Sequence, residues 1–131
     1  MVQTLSPATL TLDPVTERYF ENFNQGNYAA VATLFGDDGY LCPPFEEGIV
    51  GPSAIATYLA QEAAGMRALP KESQTTPTDG GRQTTVKGRV KTPLFTVNVQ
   101  WIFDITAADQ IQRAEIKLLA SLQELLQFNR G

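Results

Sequence analysis

The chain has 131 residues, 43% of them apolar and 18% charged, with a formal net charge of −4; this is the make-up of a globular domain and argues against nucleic acid as a partner. It has no histidine, which removes the usual neutral-pH base, the Ser-His and Cys-His couples and the commonest zinc ligand. Cys42 is the single cysteine, so an internal disulfide is excluded and a reducing compartment fits.

The N-terminal Met1-Val2-Gln3-Thr4-Leu5 lacks the basic and apolar regions of a signal peptide. No run reaches the roughly 18 apolar residues of a membrane span. A cytoplasmic protein of one domain, residues 1–131, is therefore expected, with residues 1–12 as an arm.

Asp13-Pro14 opens a helix, because Asp caps well and Pro suits the first helical position. Val15, Tyr19, Phe20 and Phe23 share one side of it at 100° per residue. Gln25-Gly26-Asn27 ends it and starts a short helix expected over Tyr28 to Phe35. Gly36-Asp37-Asp38-Gly39 has the composition of a turn, and Tyr40-Leu41-Cys42 that of a short strand stopped by Pro43-Pro44. A third helix is expected from Pro52 to about Met66, with Ile55, Leu59, Glu62 and Met66 on its inner side; Glu62 there is either at a rim or paired.

Pro77-Thr78-Asp79-Gly80-Gly81 reads as a turn into three strands, Arg82 to Thr92, Leu94 to Ile105 and Gln110 to Ala120. Short connections make these antiparallel neighbours. The middle strand is apolar at every odd position from Phe95 to Ile105, which buries one face. Lys87, Arg89 and Lys91 alternate along its neighbour as a solvated face. Ser121-Leu122-Gln123-Glu124 is a capping box, so residues 121–131 should form a C-terminal helix and tail. The fold class is α+β, a curved antiparallel sheet wrapped as a cone around N-terminal helices with an apolar cavity.

Trp101, the sole tryptophan, points into whatever that sheet encloses. An indole is a donor and wants an acceptor when buried; either the protein supplies one or a ligand does. Tyr19 on the first helix faces the same interior.

Several segments recur in order in a known family: Tyr19-Phe20, Leu34-Phe35-Gly36-Asp37-Asp38-Gly39, Pro43-Pro44-Phe45 with Ile49-Val50-Gly51, and Gly88-Arg89-Val90-Lys91-Thr92-Pro93. Trp101 and Leu118-Leu119-Ala120-Ser121 with Glu124-Leu125-Leu126 complete the set. Over roughly residues 15 to 128 the chain resembles the C-terminal domain of the orange carotenoid proteins of photoprotection, which has the nuclear transport factor 2-like fold.

The resemblance implies a water-soluble carrier of a keto-carotenoid such as canthaxanthin or echinenone, which transfers its pigment and quenches singlet oxygen. It implies that Tyr19 and Trp101 donate to the ring keto oxygen, and that Phe35, Phe45, Met66, Ala68, Pro93, Phe95 and Leu118 line the pigment's path. Each lining residue serves equally as plain core. It further implies a homodimer sharing one carotenoid, helical carotenoid-accepting partners, and transient membrane contact during uptake. The chain departs from the family pattern at Leu94, where a tryptophan is usual, and at Lys117, usually acidic; the segment between Leu94 and Trp101 is shorter by several residues. Glu62 matches an acid that bridges to a domain absent here.

Two rivals remain. The same fold hosts ketosteroid isomerases and dehydratases, with Tyr19 as an oxyanion donor and Asp37 or Asp38 as the proton shuttle. It also hosts dimeric protein-interaction modules.

Overall fold

The computed structural model describes residues 11–119. The arm before Thr11 and the capping box at Ser121 lie outside the described residues. Helix α1 spans Pro14–Asn24. The Asp13 carboxylate accepts the Val15 and Thr16 N–H groups at 2.9 and 3.4 Å, satisfying donors that a helix start leaves free. Val15, Thr16, Tyr19, Phe20 and Phe23 are its buried side, as the spacing required.

The second helix, α2, covers only Tyr28–Ala32, and Phe35 instead opens a strand, β1, Phe35–Cys42. The expected turn at Gly36–Gly39 is thus part of β1, and the register jumps between Phe35 and Tyr40. A bulge needs the same permissive residues as a turn, which is why composition misled. A Cβ on Gly39 would stand 2.5 Å from the Ile111 carbonyl oxygen, so only glycine lets the two chains approach there. The two-residue β2, Ile49–Val50, pairs antiparallel with β1.

Helix α3 runs Pro52–Glu62, shorter than expected, with Gly65 at φ 84° beyond its end. Ile55, Leu59 and then Ala63 face the core, while Glu62 is exposed at the rim and Met66 half-buried. The strand β3, Arg67–Thr78, had no signal in the sequence. It is an edge strand, mostly exposed, where Pro70 and Pro77 are tolerated. Its hairpin to β4, Gly81–Lys91, turns at Asp79-Gly80, and the expected turn residues Pro77 and Thr78 pair with Arg82 and Gly81.

Strands β5, Thr96–Thr106, and β6, Ile111–Leu119, complete a six-stranded sheet of order β2-β1-β6-β5-β4-β3. Every neighbour pair is antiparallel except β1 with β6, which is parallel. The sheet is therefore mixed rather than wholly antiparallel. Its concave face carries Val86, Val99, Trp101, Phe103 and Ala114, all buried with the helix residues in one core. Lys87, Arg89 and Lys91 are exposed on the other face.

Candidate ligand-binding site

Two donors from distant parts of the chain enter one aromatic cluster. Tyr19 stands on α1 at 1% exposure and Trp101 on β5 at 2%. Trp101 lies between Val86 of β4 and Ile116 of β6 in the sheet register. The Phe20 ring joins them, with centroids 5.3 Å from Tyr19 and 4.8 Å from Trp101, both edge-on. Phe103 closes the cluster at 5.0 Å from Tyr19, and Phe23 stacks on Tyr19 at 6.1 Å. Edge-to-face geometry at these separations is favourable for rings.

Among the described residues, Tyr19 Oη is the buried side-chain polar atom that has no hydrogen-bond partner. Such an orphan costs about 1–3 kcal/mol. Burial pushes the Tyr19 phenol well above its ordinary value, so the group is a neutral O–H at any physiological pH. It is a buried donor with no acceptor among the described residues, and an incoming acceptor would satisfy it.

The other expected site residues fall into two groups. Phe35 and Ala68 are buried at 3% and 2%. Met66 is half-buried, and Pro93, Phe95, Leu118 and Phe45 are exposed, Phe45 at 92%. This second group gathers at one end of the sheet. The start of β5 pairs with the end of β6, Asn98 opposite Leu119, and β1 runs parallel to β6, so the end of β1, the start of β5 and the end of β6 lie at the same end of the sheet. Pro93 approaches Gly65, beside Met66. The buried donors and the exposed apolar residues at that end of the sheet are thus two separate groups.

A groove of about 390 Å³ opens on the opposite face, lined by Lys71, Lys87, Arg89 and Asn98 among others. Asp37 and Asp38 are exposed in the β1 bulge, and Glu115 pairs with Arg113 at 2.6 Å. Asp37 and Asp38, the expected shuttles, thus face solvent rather than the Tyr19 cluster. Cys42 is half-buried, and burial raises its thiol, with the Glu115 charge adding to it. No helix among the described residues is long and apolar enough to cross a membrane.

Phe20 and Phe103 were visible in the sequence only as core positions; nothing in their spacing marked them as spacers between two donors. Asn24 was missed altogether. Its side-chain amide donates to the Ala68 carbonyl at 2.9 Å and accepts from the Ala68 N–H at 2.7 Å, an arrangement that tertiary contact alone creates.

A curved sheet wrapped around N-terminal helices defines the class: residues 12–112 match the nuclear transport factor 2 (NTF2) domain, and the chain belongs to that family. Within it, the chain is 33% identical to the orange carotenoid-binding protein of Synechocystis sp. (strain PCC 6803), over 97% of its own length and 43% of that protein. The orange carotenoid protein of Anabaena (Nostoc) sp. PCC 7120, a structure binding canthaxanthin, superposes with a TM-score of 0.81 at 34% identity, covering 89% of this chain and 39% of that one. The match is to the C-terminal domain of these proteins, and the chain spans less than half the length of either. The epoxide hydrolase/cyclase-like enzyme SalBIII, 15% identical with a TM-score of 0.67 over 84% of this chain and 90% of that one, shows the fold alone.

Proposed function

We propose that this domain holds a keto-carotenoid, with the ring inside the cone and the keto oxygen accepting hydrogen bonds from Tyr19 and Trp101. The observation that carries the reading is the buried, unpartnered Tyr19 hydroxyl. A ketone oxygen has two lone pairs and takes both donors at once. The apolar body of such a ligand gains about 25 cal/mol for each Å² removed from water. Canthaxanthin or echinenone fits that chemistry. The orange carotenoid proteins this chain resembles support the same ligand class.

Phe35 and Ala68 would wall the ring, and Met66, Pro93, Phe95, Leu118 and Phe45 would meet the polyene where it leaves the cone. A carotenoid is longer than one such domain, and its exposed half is an apolar liability in water. Two copies, each holding one ring, solve this with the two-fold geometry commonest among oligomers. In this reading the protein carries and hands on pigment to helical acceptors, takes it up at membranes, and quenches singlet oxygen in the cytoplasm.

The test is the visible spectrum and elution volume of the protein purified from a canthaxanthin-producing bacterial host. A band to the red of free canthaxanthin, eluting with a dimer and weakened in Trp101→Phe, supports the reading. A colourless monomer rejects it, and enolisable ketones with Asp37→Asn and Asp38→Asn controls then become the next ligands to try.

A further inference from the structure

Helix α1 is pinned to the sheet at both ends by polar contacts, with Tyr19 between them. At the start, Arg82 of β4 donates Nε to Asp13 Oδ1, Nη2 to Asp13 Oδ2 at 3.2 Å, and Nη1 to Asp109 Oδ1 at 2.9 Å. Asp13 already caps α1 through the Val15 and Thr16 N–H groups, and its side chain is only 6% exposed. At the far end Asn24 pairs both backbone groups of Ala68, the second residue of β3.

We infer that Arg82, through Asp13, and Asn24 are positioning residues that set the axial register of α1 and so hold Tyr19 Oη at the place where a ligand oxygen must arrive. The argument rests on the carotenoid reading above. With a rise of 1.5 Å per residue, Asp13 and Asn24 lie about 16 Å apart along the helix. The cost of leaving a buried hydroxyl unpaired favours any slide or roll of α1 that would bring it to an acceptor. The rings around Tyr19 favour edge-to-face contact, but at about 0.5–1.5 kcal/mol a pair they resist such motion only weakly. Bidentate and bridging guanidinium contacts are directional, and the paired amide at Asn24 is as well. Two anchors stop both sliding and rolling.

The experiment compares wild type, Arg82→Gln, Arg82→Lys, Asp13→Asn, Tyr19→Phe and the double Arg82→Gln/Tyr19→Phe, purified with canthaxanthin bound. Asp13→Asn keeps a good cap while losing the ion pair, so it separates helix formation from positioning and stands in if Arg82→Gln does not fold. Arg82→Gln and Asp13→Asn are expected to move the visible band toward free canthaxanthin with pigment still bound. Arg82→Lys should recover part of the shift, since one ammonium cannot span both partners. The double variant should move no further than Tyr19→Phe, the non-additivity of residues acting on one contact. A band at the wild-type wavelength in Arg82→Gln, or a shift that adds fully to that of Tyr19→Phe, overturns the inference.

A colourless wild type would defeat the carotenoid reading, and the register of α1 is then tested alone. The emission of Trp101, the sole tryptophan, then decides, because its ring contacts Phe20 of α1. Arg82→Gln and Asp13→Asn should alter that emission while far-ultraviolet dichroism stays unchanged; unaltered emission in both overturns the register role.

Discussion

Phe20 stands edge-on to Trp101, ring centroids 4.8 Å apart and planes at 82°. The same ring meets Tyr19 and Phe103 nearly at right angles, so one side chain spaces the two donors. Truncating it should open a void in a packed core. Phe20→Ala is expected to cost about 3–5 kcal/mol, measured by urea unfolding, and to shift Trp101 emission. A loss below about 1 kcal/mol would mean the cluster collapses onto the gap and Phe20 is no spacer.

Tyr19→Phe should separate stability from binding. It removes a buried hydroxyl that has no partner, so the ligand-free protein is expected to gain up to about 1–3 kcal/mol, read by urea unfolding. Pigment binding should weaken in the same variant. Destabilisation of the ligand-free form would show that the hydroxyl has a partner in solution, and the argument for an external acceptor would fall.

Gly88 sits opposite the bulge between Pro70 and Glu72. A Cβ added there would stand 2.2 Å from the Leu69 carbonyl oxygen and 2.9 Å from Pro70 Cα. Both are backbone atoms, so no rotamer change relieves the clash. Gly88→Ala is expected to destabilise by about 1–3 kcal/mol or more, seen as a lowered thermal midpoint. An unchanged midpoint would mean β3 shifts freely at this edge.

Acid should unfold the protein through Asp13 and Asp104. Burial alone would raise both carboxyls. Contacts from Arg82, Val15 and Thr16 outweigh it at Asp13, and contacts from Gln83 and Arg113 at Asp104, so both end below the ordinary 3.8. The unfolded chain therefore binds these protons more tightly, and stability present above that value is lost as pH falls through the lowered folded values. Thermal midpoints should be flat from about pH 7 to 5 and drop below about pH 4. Asp13→Asn should flatten part of that acid limb; an identical limb would place the titration elsewhere.

The fringe at the open end should be dispensable for folding and needed for pigment. Leu94 and Phe95 are 89% and 60% exposed, so Leu94→Ser and Phe95→Ser are expected to change stability by less than about 0.5 kcal/mol. Under the proposed function both should lower pigment yield and shift elution toward monomer. Wild-type colour and elution volume in the double variant would remove this edge from the site.

Local periodicity by itself determined α1, with its Asp13-Pro14 start and buried Tyr19, Phe20 and Phe23, and determined the alternation that buries Trp101 in β5. Each is a property of one segment meeting one apolar surface, and spacing alone encodes it. The family resemblance, carried by Tyr19, Trp101 and the Pro43-Pro44-Phe45 segment, was legible in the same way. The edge strand β3 was not, because a strand exposed on most positions has no apolar alternation, and Pro70 and Pro77 argued against it. The composition of Gly36–Gly39 does not separate a bulge from a turn, because both need the same residues. Only the tertiary structure decided that β1 lies parallel to β6, that Arg82 reaches Asp13 across 69 residues, and that Tyr19 Oη ends without a partner. Those facts depend on which distant groups meet in three dimensions, and hydrogen bonding between distant groups leaves no period in the chain.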